Sequence, residues 1–138
     1  MSPSFYDAPA HANVTIVFTY IERLDELMAA SPEAGAKAVA THNSKLRALL
    51  LKYNGYECRE QDGQFLLAFH SATDAVQWGM DVQETLLCAA WSDALLEMPA
   101  ACRMMVSNCM IFRGLRVQVR WQNTRERERE REVPDQLR

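Results

Sequence analysis

The stretch Asn13–Glu22 reads NVTIVFTYIE, and Gly55–His70 reads GYECREQDGQFLLAFH. In the first, Val14–Thr19 is a continuous apolar and β-branched run, the pattern of a strand buried on both faces. In the second, Tyr56–Glu60 alternates, Gln61-Asp62-Gly63-Gln64 carries a turn signal, and Phe65–Phe69 returns as an apolar strand. A buried strand followed, some thirty residues later, by a tight hairpin is the frame on which the remaining elements are placed.

Between these pieces, Glu22–Ala30 carries Leu24, Leu27 and Met28 at helical spacing and predicts a short helix that stops before Ser31-Pro32. Ser31 as N-cap, Pro32 at the first helical position and Glu33 in the first turn open a longer helix. That helix is expected to bury Val39, Leu46, Leu49, Leu50 and Tyr53 and to stop at Asn54-Gly55. After the hairpin, Ser71 caps a second long helix with a stripe of Ala72, Ala75, Val76, Gly79, Gln83, Leu86, Leu87 and Ala90. A loop containing Pro99 leads to Phe112-Arg113-Gly114, and Leu115–Trp121 alternates as a fourth strand. Met104, Met105 and Met110 are read as gap-fillers flanking that loop. The order β-α-α-β-β-α-β predicts an α+β, ferredoxin-like antiparallel sheet with helices on one face.

The 138 residues suffice for one domain, and 49% hydrophobic content supports a packed core. A net charge of −3 offers no general attraction to nucleic acid or anionic membrane, so no nucleic-acid partner is expected. Cys58, Cys88, Cys102 and Cys109 show no CxxC spacing, which argues against zinc and for buried, reduced thiols in a cytoplasmic protein. The first residues lack the basic and apolar regions of a signal peptide. No apolar run reaches the roughly 18–20 residues a membrane helix needs. His11, His42 and His70 are far apart, and His42 reads as a surface or satisfied histidine. The carboxylates Glu22, Asp25 and Glu26 sit where a helix dipole alone favours them. No phosphate-binding glycine loop or nucleophile elbow is present.

The ordered pieces Val14–Thr19 (VTIVFT), Ala38–Glu57 (AVATHNSKLRALLLKYNGYE), the hairpin, Thr73–Gln83 (TDAVQWGMDVQ) and Phe112–Val119 (FRGLRVQV) resemble the catalytic domain of class III nucleotidyl cyclases. The endings Gly-Tyr-Glu-Cys and Phe-Arg-Gly-Leu-Arg-Val are most similar to the green-algal cyclases. The resemblance implies conversion of ATP or GTP to a 3′,5′-cyclic nucleotide and pyrophosphate in intracellular signalling. It also implies Mg²⁺ or Mn²⁺ as cofactor and an active site formed between two such domains, hence a homodimer or a heterodimer with another cyclase domain. In the family the first strand ends Phe-Thr-Asp-Ile and the hairpin carries Lys-Thr-x-Gly-Asp-x-Phe, the two aspartates holding the metal ions.

Here Tyr20 stands at the first of those aspartates. Anchored on Phe65, the Gly-Asp pair is inverted to Asp62-Gly63, leaving Asp62 one residue out of register as the remaining candidate metal ligand. Arg59 falls at the family's base-selecting position. After Val119 the family's Gly-Val/Ile-His-Ser/Thr-Gly, and its later Asn and Arg, do not follow. No catalytic residue is therefore assigned, and the expectation is a C-terminally truncated or altered cyclase domain without activity. The alternatives are a non-catalytic dimerisation or regulatory module of the same fold, or an unrelated ferredoxin-like ligand- or RNA-binding domain. The expected divisions are a flexible 1–12, a partial domain over 13–122 and a charged, disordered tail over 123–138, with Arg125–Glu132 a strict Arg-Glu alternation. A longer, membrane-bound parent protein is compatible with all of this.

Overall fold

The structure is a computed structural model and describes residues 14–123. The N-terminal segment and the Arg-Glu tract, with the expectations attached to them, lie outside the described residues.

The apolar run of the opening stretch forms β1 (Thr15–Ile21), with every second side chain buried, and leads into α1 (Leu24–Ala30) and α2 (Pro32–Lys52). The hairpin is β2 (Tyr56–Gln61) and β3 (Gln64–Phe69), followed by α3 (Ala72–Cys88), a single-turn α4 (Asp93–Leu96), a small hairpin β4 (Met104–Val106) and β5 (Cys109–Phe112), and β6 (Val117–Asn123). Among the described residues the main sheet has the order β2-β3-β1-β6, antiparallel throughout. This is the ferredoxin-like arrangement expected from the sequence.

The expected caps are present. Ser31 Oγ accepts from the Ala34 N–H at 3.2 Å and Ser71 Oγ from the Asp74 N–H at 3.3 Å, each satisfying a donor that a helix start leaves unpaired. At the end of α2, Asn54 takes the left-handed conformation (φ 55°), and the Gly55 N–H reaches back to the Leu50 carbonyl. The core lies between the sheet and the two long helices. Val17, Phe65, Leu67 and Phe69 of the sheet meet Leu46, Leu50, Trp78 and Val82, all buried. Trp78 packs its ring 5.8 Å from that of Phe69 and donates its indole N–H to the Leu46 carbonyl, so the largest core side chain also meets its one polar need.

Several expectations are corrected. The buried face of α3 is Ala75, Trp78, Gly79, Val82 and Leu86, whereas Val76 is 45% exposed. The face is rotated because the indole of Trp78 and the indole of Trp121, which donates to the Ala75 carbonyl, fix which side meets the sheet. The segment read as a loop with gap-filling methionines contains the β4–β5 hairpin. Its two turn residues, Ser107 and Asn108, both have positive φ, a geometry without the glycine that usually signals it. The fourth strand starts at Val117, and Arg116 is buried, its guanidinium lying on the Phe112 ring and donating to the Cys102 carbonyl. The four cysteines are unbridged as expected, yet Cys58, Cys88 and Cys109 are exposed and Cys102 half-buried.

Candidate active site

Pairing register places the candidate residues. Side chains directly opposite one another in an antiparallel sheet share a face. Phe18 lies opposite Leu66 and Arg120, Tyr20 opposite Gln118, and Leu66 opposite Arg59. One rung therefore runs Arg59–Leu66–Phe18–Arg120 across all four strands, on the face away from the helices. Tyr20 sits one step further toward the end of β1 on the same face. Its ring is half-buried, with the Arg120 guanidinium carbon 5.9 Å from the ring centre. Beyond β1, Glu22 accepts a hydrogen bond from the Gln118 side chain, and its own N–H donates to the Arg116 carbonyl.

The hairpin tip turns the other way. Asp62 (φ 53°) and Gly63 (φ 79°) form a two-residue turn between Gln61 and Gln64. Asp62 is exposed. Gly63 is buried, and a Cβ built on it would lie 2.6 Å from Ile21 Cδ1 and 3.6 Å from Val39 Cγ1. Ile21 and Val39 belong to the helix side of the sheet, so the direction available to a side chain at position 63 leads away from Tyr20.

A polar network that sequence reasoning missed fixes this tip. Glu60 Oε1 accepts from Asn43 Nδ2 at 2.9 Å and from the Gly63 N–H at 3.2 Å, tying the turn to α2. Thr19, fully buried, accepts the Phe65 N–H on its hydroxyl at 3.2 Å. His42 is fully buried rather than at the surface. Its Nδ1 shares a hydrogen with Asn43 Oδ1 at 2.8 Å, while Nε2 has no partner. Burial holds its pKa below the ordinary histidine value, against smaller opposing effects of Asn43 and Glu60. The signal in the sequence was spacing: His42 falls on the Gly35, Ala38, Leu46, Leu50 stripe of α2.

These positions do not make a divalent-metal site. Tyr20 offers a phenol where the resemblance implies a carboxylate, Asp62 lies in an exposed turn, and Glu22 is engaged by Gln118. Among the described residues no three His, Cys, Asp or Glu side chains come together as ligands.

With that geometry in place, no protein-family model matches the chain. Curated relatives do. An adenylate cyclase of Lachancea kluyveri is 35% identical over 113 residues, which is 81% of this chain and 6% of that protein. A receptor-type adenylate cyclase of Trypanosoma congolense is 38% identical over 84 residues, 61% of this chain and 11% of that protein. A solved structure of adenylate cyclases from Trypanosoma brucei in their monomeric state superposes with a TM-score of 0.73 at 30% identity, over 84% of this chain and 58% of that one. The chain carries a class III cyclase-type domain. This cyclase-type domain spans only a small part of the curated relatives' length and somewhat over half of the solved chain. Among the described residues no helix is long and apolar enough to cross a membrane.

Proposed function

We propose that this cyclase-type domain does not cyclise nucleotides and acts instead as a non-catalytic partner of another cyclase-type domain. The observation that carries the reading is Tyr20 under the Arg120 guanidinium at the position where the family places its first metal-binding aspartate. Replacing a carboxylate with a phenol and bringing a cation onto it reverses the electrostatics a divalent ion needs. The role proposed for Asp62 is correspondingly that of a turn residue, and Arg59, at the base-selecting position, is free to contact a ligand. The endings at Gly55–Cys58 and Phe112–Val117 support a green-algal affinity within the family.

A partner is favoured by the exposed apolar surface of the small hairpin. Met105 is 51% exposed and Val106 53%, and Met104 and Ile111 of the same hairpin are exposed as well. Clustered apolar side chains of this kind mark contact surfaces more often than isolated ones do. A cytoplasmic setting, with or without a membrane-bound parent, fits this role.

The test is a cyclase assay with ATP and with GTP, in Mg²⁺ and in Mn²⁺, on the chain alone and mixed with an active homologous domain. No product from the chain alone and a changed rate in the mixture are expected. Chelator-sensitive turnover by the chain alone overturns the reading. Sedimentation of the mixture reads the pairing, and two independent species with no complex would exclude it.

A further inference from the structure

We propose that the groove along the outer edge of β6 binds a small organic monocarboxylate, with Arg116 taking the carboxylate and an apolar wall taking the rest of the molecule. The proposal stands whether or not the domain cyclises nucleotides.

Arg116 is 8% exposed, and among the described residues no other arginine, lysine, aspartate or glutamate is buried. A guanidinium carries five N–H donors and a charge that it does not lose. One donor reaches the Cys102 carbonyl at 3.0 Å, and the Phe112 ring centre lies 5.2 Å from the guanidinium carbon. The buried Nε has no hydrogen-bond partner, and among the described residues no carboxylate forms an ion pair with this side chain. Burying a charge and a donor without neutralising either is costly, and such groups in folded proteins are normally paired. An anionic group satisfies both needs at once.

Arg116 lines an open groove of about 440 Å³, a size within the roughly 300–1,000 Å³ of small-molecule sites. The apolar walls are Ile111 and Phe112 of β5 and Val119 and Trp121 of β6. Trp121 is 46% exposed and yet held in place. Its indole N–H donates to the Ala75 carbonyl at 3.1 Å, and its ring lies so close to α3 that a Cβ on Gly79 would fall 2.6 Å from Cζ2. A wall that is already fixed loses little freedom when a ligand arrives.

Three features narrow the ligand. A single buried cation beside apolar walls suits one anionic group on an apolar body better than an inorganic anion, and a carboxylate takes a guanidinium in bidentate fashion. Glu22 lines the same groove, its carboxylate accepting from the Gln118 side chain. That charge repels a second negative charge on the ligand, which favours a monocarboxylate over a phosphate or polyphosphate. Gln83 decides against an added strand. In the pairing with β1 the Arg116 carbonyl faces β1, so the Val117 carbonyl faces outward, and the Gln83 side chain already donates to it at 2.9 Å. An extended peptide would have to displace Gln83 to pair there, whereas a small molecule need not.

Heteronuclear NMR on the full chain tests this, with phenylpropionate as the probe and its uncharged amide and phenylpropyl phosphate as comparators. The expected result is a saturable shift of the Trp121 indole N–H at millimolar concentration, with that of the buried Trp78 unmoved. The amide and the phosphate should each bind at least about 10-fold more weakly than the carboxylate. Arg116→Gln should weaken carboxylate binding by about 10–100-fold, with near-UV circular dichroism to check its fold. Ile111→Glu, at a wall position that is 40% exposed, sets a like charge in the groove and should cost about 10-fold or more. If Arg116→Gln does not fold, this variant and the amide comparison decide. Glu22→Gln should narrow the gap between phosphate and carboxylate, and Lys45→Gln, exposed on α2, should change nothing. No saturable shift at Trp121, an amide or a phosphate that binds as tightly as the carboxylate, or binding that survives Ile111→Glu overturns the proposal.

Discussion

Moving the aspartate into the family's register, Gly63→Asp, should destabilise the domain without creating a metal site. Position 63 has φ 79°, where an L-residue carries strain of about 1–2 kcal/mol. The new Cβ meets Ile21 Cδ1 at 2.6 Å, and Ile21 is 6% exposed, so its terminal methyl must leave its rotamer at a cost of about 0.5–1.5 kcal/mol. Against this, removing a glycine restricts the unfolded chain and returns about 0.4–1 kcal/mol. The net is a loss of about 1–2 kcal/mol. Urea unfolding followed by tryptophan fluorescence, with the buried Trp78 and Trp91 as probes, should show a midpoint lower by about 1 M at an ordinary slope. The steric part is separable. Ile21→Val removes the offending methyl at its own cost of about 0.5–1.5 kcal/mol. In that background Gly63→Asp should cost about 0.5–1 kcal/mol less than in the natural chain. Adding Tyr20→Asp to Gly63→Asp should still give no Mg²⁺-dependent rise in the midpoint, since the side chain at 63 leads toward Ile21 and Val39. Strict additivity of the Ile21 and Gly63 changes, or a midpoint that climbs with Mg²⁺, would refute the geometric reasoning.

Other expectations are more local. Trp78→Ala removes a fully buried indole and should cost about 3–5 kcal/mol, a large share of the stability of a small domain, read by the same urea titration. Gly114→Ala should be at least as damaging: φ is 83°, and its Cβ would fall 2.0 Å from Trp91 Nε1, which donates to the Leu86 carbonyl. Ser31→Ala and Ser71→Ala should each cost about 1 kcal/mol through a lost N-cap, and their double variant should be additive. For His42 the folded pKa is depressed, so between the folded and unfolded values the unfolded chain binds the extra proton. Stability is then fully present above the unfolded value of about 6.5 and falls as pH drops below it. Urea midpoints taken at descending pH should show this slope, and His42→Gln should flatten it; an unchanged slope would remove His42 as its cause.

The ferredoxin-like order was legible because each part of it is written locally. The β-branched run of β1, the serine caps of α2 and α3 and the Asp62-Gly63 turn depend on nearest neighbours, and the structure has all of them. Family likeness was legible for the same reason, as short motifs in a fixed order. What the sequence left open depends on approach between distant segments. The β4–β5 hairpin turns on Ser107-Asn108, residues with no strong signal, and is held by strand pairing. His42 is buried with its ring beside that of Phe65 in β3, and Arg116 is buried with its guanidinium donating to the Cys102 carbonyl, contacts that no local pattern records.

The site divides along the same line. From the sequence alone came the expectation, carried by the family resemblance, that Tyr20 stands at the first aspartate's position and that Asp62 is one residue out of step. Only the tertiary structure decided that Arg120, a hundred residues further along, lies over Tyr20, that Arg59 shares its rung, and that position 63 faces the helices. The physical reason is the sheet's register. A strand fixes which side of the chain each residue takes, but strand pairing alone fixes which residues from elsewhere arrive beside it.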